Sequence, residues 1–180
     1  MADINAETVY LGAAVLCAFS GAICDYRFRK IPNWLTGSSI LLGLVLHLVL
    51  GDWRSLSSAA FAGLAGGGAF LLFYLAGGMG GGDVKLITAV SSCAGLSHVA
   101  AILIATAIAG GIFALALAVI AGQLKQTVSN AARLLAHHGS VGLKPHPDLN
   151  VQNSRALRLP YGIAIGAGTA MTMFGALLGQ

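Results

Sequence analysis

Apolar residues run through this chain in long, nearly unbroken stretches rather than in alternation. Six stand out: Val9 to Cys24, Trp34 to Leu50, Leu56 to Gly77, Val84 to Leu96, His98 to Gly122 and Leu159 to Leu178. A helix that crosses a bilayer needs about 20 mostly apolar residues, and five of these stretches are good candidates. The fourth is short, and Gly77, Gly78, Gly80, Gly81 and Gly82 lie just before it. Irregular backbone at membrane depth persists only where protein or a water-filled cavity surrounds it. The pattern therefore predicts a re-entrant or partly buried turn leading into a short fourth helix. The expected fold is all-α: one polytopic membrane bundle over residues 1–180, with about six transmembrane helices.

Polar positions gather only between Gln123 and Arg158. Within that stretch Leu124, Val128, Ala131 and Leu135 form one helical stripe, with Lys125, Gln126, Ser129 and Arg133 off it. That spacing predicts a short amphipathic helix lying in the membrane interface. After His138, the residues Gly139, Pro145, Pro147 and Asn150 signal a loop.

Composition sharpens this picture. Apolar residues make up 57% of the chain and charged residues 9%, where a soluble domain carries roughly 25% charged residues. So few charges cannot solvate a soluble surface, which excludes an ordinary soluble enzyme, a disordered chain and a coiled coil. The 25 glycines suit close packing of helices in lipid. The net charge of +4 is scattered over short loops instead of one solvated face, which argues against nucleic-acid binding.

The basic residues orient the chain. With the N-terminus outside, Arg27, Arg29, Lys30, Lys85, Lys125, Arg133, Lys144, Arg155 and Arg158 face the cytoplasm, and Arg54 alone lies outside. Residues 123–158 then form a cytoplasmic loop. The first ten residues hold no Lys or Arg, so the opening stretch reads as a retained span and not as a secretory signal. Cys17, Cys24 and Cys93 form no CxxC and read as small buried hydrophobes. His47 and His98 fall near outer span ends. His137, His138 and His146 read as solvated loop residues, and no metal site or cofactor is expected.

The six acids sort completely. Asp3, Glu7 and Asp52 fall outside, and Asp148 sits in the cytoplasmic loop. Asp25 ends the first span and Asp83 begins the fourth, both at the cytoplasmic boundary. Acids at such depth are costly and mark function by default. Asp25 also reads as a boundary acid paired with Arg27, Arg29 or Lys30. Asp83, after Gly80-Gly81-Gly82, also reads as a helix cap. Taken together they suggest more. Two carboxylates converging on one water share a proton, and one acts as base on the water while the other acts as acid toward a scissile carbonyl. No GxSxG or HExxH motif competes for that role.

Three segments carry a resemblance. Asp25-Tyr26-Arg27-Phe28-Arg29-Lys30-Ile31-Pro32-Asn33 follows the pattern D-x-R-x-x-x-I-P-N. Gly80-Gly81-Gly82-Asp83-Val84-Lys85 follows GxGDxK. Leu159-Pro160-Tyr161-Gly162-Ile163-Ala164-Ile165 opens the last span. In these the chain resembles the type IV prepilin peptidases, in particular the short form that serves Flp/Tad pili. The resemblance implies an aspartyl endopeptidase of the bacterial inner membrane, with Asp25 and Asp83 catalytic and facing the cytoplasm. Its implied partner is a Flp-type prepilin helix lying in lipid, cut after the glycine that ends a short basic leader. Gly80, Gly81, Gly82, Tyr161 and Gly162 are the candidates to line the substrate groove. Pro160 joins them or serves only to start the helix. Lys85 and Arg27 are further candidates for the substrate site, where they either tune the acids or snorkel to the interface. Longer relatives carry an insertion with paired CxxC motifs associated with N-methylation, and this sequence lacks it, so peptidase activity without methyl transfer is expected. A scaffold subunit of a pilus or secretion machine is the non-enzymatic alternative. A proton-coupled transporter is a third reading.

Overall fold

The shortest of the apolar stretches forms the centre of the molecule. The structure, a computed structural model, describes residues 5–142, 144 and 160–179. These hold seven helices: α1 (Ala6–Phe28), α2 (Asn33–Leu50), α3 (Trp53–Leu75), α4 (Gly81–Ala94), α5 (Leu96–Ile120), α6 (Leu124–Val141) and α7 (Tyr161–Leu178). No strand occurs among the described residues. Five helices, all but α4 and α6, are long and apolar enough to cross a membrane, so the fold is a polytopic helical bundle.

The expectation of about six spans meets a difference at α4. Its 14 residues rise about 21 Å at 1.5 Å each, short of the roughly 30 Å of a bilayer core. What lets a short helix with Ser91 and Ser92 exist there is enclosure. Leu86, Ile87, Ala89, Val90, Ser91 and Cys93 have no solvent exposure at all, and α1, α2, α3, α5 and α7 all pack around them. Glycines on the surrounding helices make the close fit. A Cβ at Gly43 would stand 2.9 Å from the backbone of Ser92 and Cys93, and one at Gly67 would meet the Thr88 side chain. Gly21 on α1 seats Leu86 in the same way.

The other residues exposed on the bundle are what a lipid-facing surface needs: Leu16, Ile23, Leu64, Phe61, Ile104, Ile112 and Phe174 are each more than half exposed. Polar groups inside are mostly satisfied. His47, 3% exposed, lies against the Tyr10 ring at 3.7 Å between centroids. Its Nδ1 meets Ser55 Oγ at 2.8 Å and its Nε2 meets the Cys93 carbonyl at 3.2 Å. Cys17 and Cys93 are buried as expected, while Cys24 is only half-buried.

Several element ends differ from expectation, three of them at charged residues or glycines. Helix α1 continues past Cys24 to Phe28, because Tyr26 and Phe28 lie on its exposed side while Asp25 extends the packed stripe Leu11, Ala14, Ala18, Ala22. Gly81 and Gly82 belong to α4 and not to the turn before it, which is built from Ala76 to Gly80 with Gly77 at φ +77°. The amphipathic helix α6 runs through Gly139 to Val141 instead of ending at His138. The loop expected around Pro145, Pro147 and Asn150 lies outside the described residues, as does His146.

Candidate functional site

The C-terminal end of α1, the N-terminal end of α4 and the N-terminal end of α7 meet at one end of the bundle. Each contributes to the surroundings of the two acids. On α1, burial recurs every three or four residues from Leu11 to Ala22, and the next position on that face is Asp25. Its Oδ2 accepts a hydrogen bond from the Gly162 N–H of α7 at 3.1 Å. This is one of the unpaired amide groups that every helix N-terminus presents, so the dipole of α7 favours the anion. Glycine suits the close approach: a Cβ at 162 would stand 3.0 Å from Asp25 Cβ and 3.2 Å from Ala22 Cα, tight enough to push the two helices apart by a few tenths of an ångström.

Asp83 is the third residue of α4. Its Oδ2 accepts from the Gly80 N–H at 3.2 Å, closing the helix's first turn. The N-cap position expected for Asp83 belongs instead to Gly80, and Asp83 reaches back to that residue's N–H from inside the helix. Asp83 is half-buried, as is Asp25, and the Asp25 charge is near enough to act on it. No hydrogen bond among the described residues reaches the Oδ1 of either acid.

Tyr161 closes a third side. Its ring meets Phe70 of α3 edge-on at 5.9 Å and rests against Gly110 of α5, where a Cβ would come within 2.9 Å of its hydroxyl. The Asp83 charge reaches it. Pro160 precedes α7 as its N-cap, half-buried. Gly81 lies beside the Tyr74 ring and Gly82 beside Ile31, each at ordinary contact distance. The structure thus gathers Asp25, Asp83, Gly80, Gly81, Gly82, Tyr161 and Gly162. Lys85 and Arg27 are placed differently. Arg27 is exposed on the last turn of α1. Lys85 Nζ donates to Asn33 Oδ1 of α2 at 2.9 Å.

Neither that last contact nor the Glu7–His98 ion pair, at 3.0 Å at the other end of the bundle, has a signal in the local sequence pattern. Ile31 and Asn33 were visible only as letters of a motif. In the structure Ile31 is buried against Gly82. Among the described residues no three His, Cys, Asp or Glu side chains gather as a metal site.

The model of the type IV leader peptidase family matches residues 12–115. That is more than half of the 180 residues, and it includes both acids. The chain belongs to this family. The match runs from the first turns of α1 into α5, so Tyr161 and Gly162 of α7 lie beyond it. Comparison with curated proteins and with solved structures found no match. Membership makes this multi-helix membrane protein a leader-peptidase-type hydrolase.

Proposed function

We propose that this chain is a membrane aspartyl endopeptidase that removes the short basic leader of Flp-type prepilins, cutting after the leader's final glycine. The observation that carries the reading is that Asp25 of α1 and Asp83 of α4 each stand one turn beyond the contact of Gly21 with Leu86, at the same end of an otherwise apolar bundle. Each holds a backbone N–H on Oδ2, which leaves the other oxygens to the reaction.

In the mechanism we propose, a water sits between the carboxylates, which carry one proton between them because adjacent like charges do not both ionise readily. The ionised acid takes a proton from the water as its oxygen bonds to the scissile carbonyl carbon. The protonated acid gives its proton to the carbonyl oxygen. The tetrahedral diol then collapses: the acid protonated by the water gives that proton to the amine nitrogen as the C–N bond breaks, the other carboxylate takes a hydroxyl proton from the diol, and the leader departs as a carboxylic acid with the dyad's single proton restored. No covalent enzyme intermediate forms. Gly80 to Gly82, Tyr161 and Gly162 line the approach, and their small size admits an extended peptide backbone. The distribution of Lys and Arg supports a site on the cytoplasmic face of a bacterial inner membrane. The same rule supports α6 lying along that face, Lys125 and Arg133 toward solvent. The chain's three cysteines form no CxxC pair, and cleavage without N-methylation follows.

The test is co-expression with a Flp-type prepilin, with mass spectrometry of the product's new N-terminus. The expected product begins at the residue after the leader glycine and is unmethylated. An intact prepilin beside well-folded enzyme contradicts the reading and favours the scaffold alternative.

A further inference from the structure

The contact between Lys85 and Asn33 connects the carriers of the two acids. Asn33 is the first residue of α2 and is tied to Asp25 by the short connection Arg29 to Pro32. That connection is stiff: Arg29 stands in the left-handed region at φ 51° and Pro32 has its ring-fixed φ of −67°. Lys85 follows Asp83 by one residue. Helical residues two apart do not share a face, so Lys85 leaves the opposite side of α4 from Asp83. It spans to Asn33, 52 positions away in sequence. Beside it, buried Ile31 packs on Gly82 at 3.5 Å from where a Cβ would stand. Ile31 in this connection and Asn33 just after it therefore meet the start of α4 at Gly82 and Lys85, before and after Asp83 in sequence.

We propose that Lys85 and Asn33 are a positioning pair that sets the register of Asp83 against Asp25, and that neither contacts the substrate. An exposed hydrogen bond contributes little to stability. Its effect is in geometry, where a displacement of about 1 Å costs up to about 100-fold in rate. The assignment rests on Asp25 and Asp83 being the reacting acids.

The experiment measures cleavage of a Flp-type prepilin by purified Lys85→Met, Asn33→Ala, the double variant and Asn33→Asp. Hydrogen exchange of the amides of residues 80–86 is followed in detergent alongside. The pair predicts that each single loss lowers kcat about 2- to 5-fold, as much as an exposed bond can bias the active geometry, with KM unchanged within about twofold. The double variant loses no more than either single one, since a shared interaction is removed only once. Exchange at 80–86 quickens in all three while the unfolding temperature hardly moves. Asn33→Asp keeps an acceptor for Lys85 and retains wild-type turnover. A Lys85→Met variant with raised KM beside a silent Asn33→Ala would place Lys85 on the substrate and overturn the proposal. Losses that multiply in the double variant would overturn it as well. If the wild type cuts no prepilin, the proposed function fails, and the exchange arm still decides whether the pair holds the first turn of α4.

Discussion

Gly162 is the position where one methyl group separates packing from chemistry. In Gly162→Ala the added Cβ stands 3.0 Å from Asp25 Cβ, 3.2 Å from Asp25 Oδ2 and 3.2 Å from Ala22 Cα. The last atom is backbone and cannot swing away, so α7 or the Asp25 side chain must shift by a few tenths of an ångström. Overpacking of this kind costs about 1–3 kcal/mol. Replacing a helical glycine by alanine returns about 0.5–1 kcal/mol. The net loss of stability is then between zero and about 2.5 kcal/mol, and the protein folds. The hydrogen bond from Gly162 to Asp25 at 3.1 Å is lengthened in the process. Bonds to charged groups are worth about 1.5–3 kcal/mol, which corresponds to about 10- to 150-fold in rate if the whole effect is felt in the transition state. Gly166, one turn along the same helix, is the control: a Cβ there meets Ala22 Cβ at an ordinary 3.6 Å. Prepilin turnover and thermal unfolding of both variants in detergent give the comparison. Gly162→Ala should be folded and slowed at least about tenfold, and Gly166→Ala should match wild type. Full turnover in Gly162→Ala, or equal loss in Gly166→Ala, refutes the reasoning.

Two further predictions concern the interior. His47→Phe keeps the stack on Tyr10 but strands Ser55 Oγ and the Cys93 carbonyl; thermal unfolding should report a loss of about 1–3 kcal/mol, with turnover intact because the contacts lie at the other end of the bundle. Thr106 is fully buried with its hydroxyl unpartnered, so Thr106→Val should be neutral or stabilising in the same assay.

How far the sequence could be read depended on the kind of signal. Long apolar stretches located α2, α3, α5 and α7 to within three residues at each end, because lipid imposes a length on any crossing helix. The ends that were misplaced lie where packing and not polarity decides. At Asp25 the helix continues because a charged residue occupies the inward face, a site that hydropathy alone reads as a terminus. At Gly81 and Gly82 three successive glycines read as a turn, yet two of them are helical, in the first turn that the Asp83 carboxylate closes onto the Gly80 N–H. Asp25 and Asp83 were legible as a pair because so few acids compete with them. Lys85 was legible as a motif residue near the acids but not as a partner of Asn33, since nothing in the local pattern specifies a contact 52 positions away. The pairing of Glu7 with His98 was hidden for the same reason.

The central claim is that two carboxylates share the work, and the most direct measurement replaces each one alone. Wild type, Asp25→Asn and Asp83→Asn are expressed to equal levels in membranes with a Flp-type prepilin, and leader removal is followed over time. Asparagine preserves the shape of each side chain and its acceptor for Gly162 or Gly80, so folding should persist in both. The account predicts processing by wild type and none by either variant. Continued cleavage by either variant would contradict it.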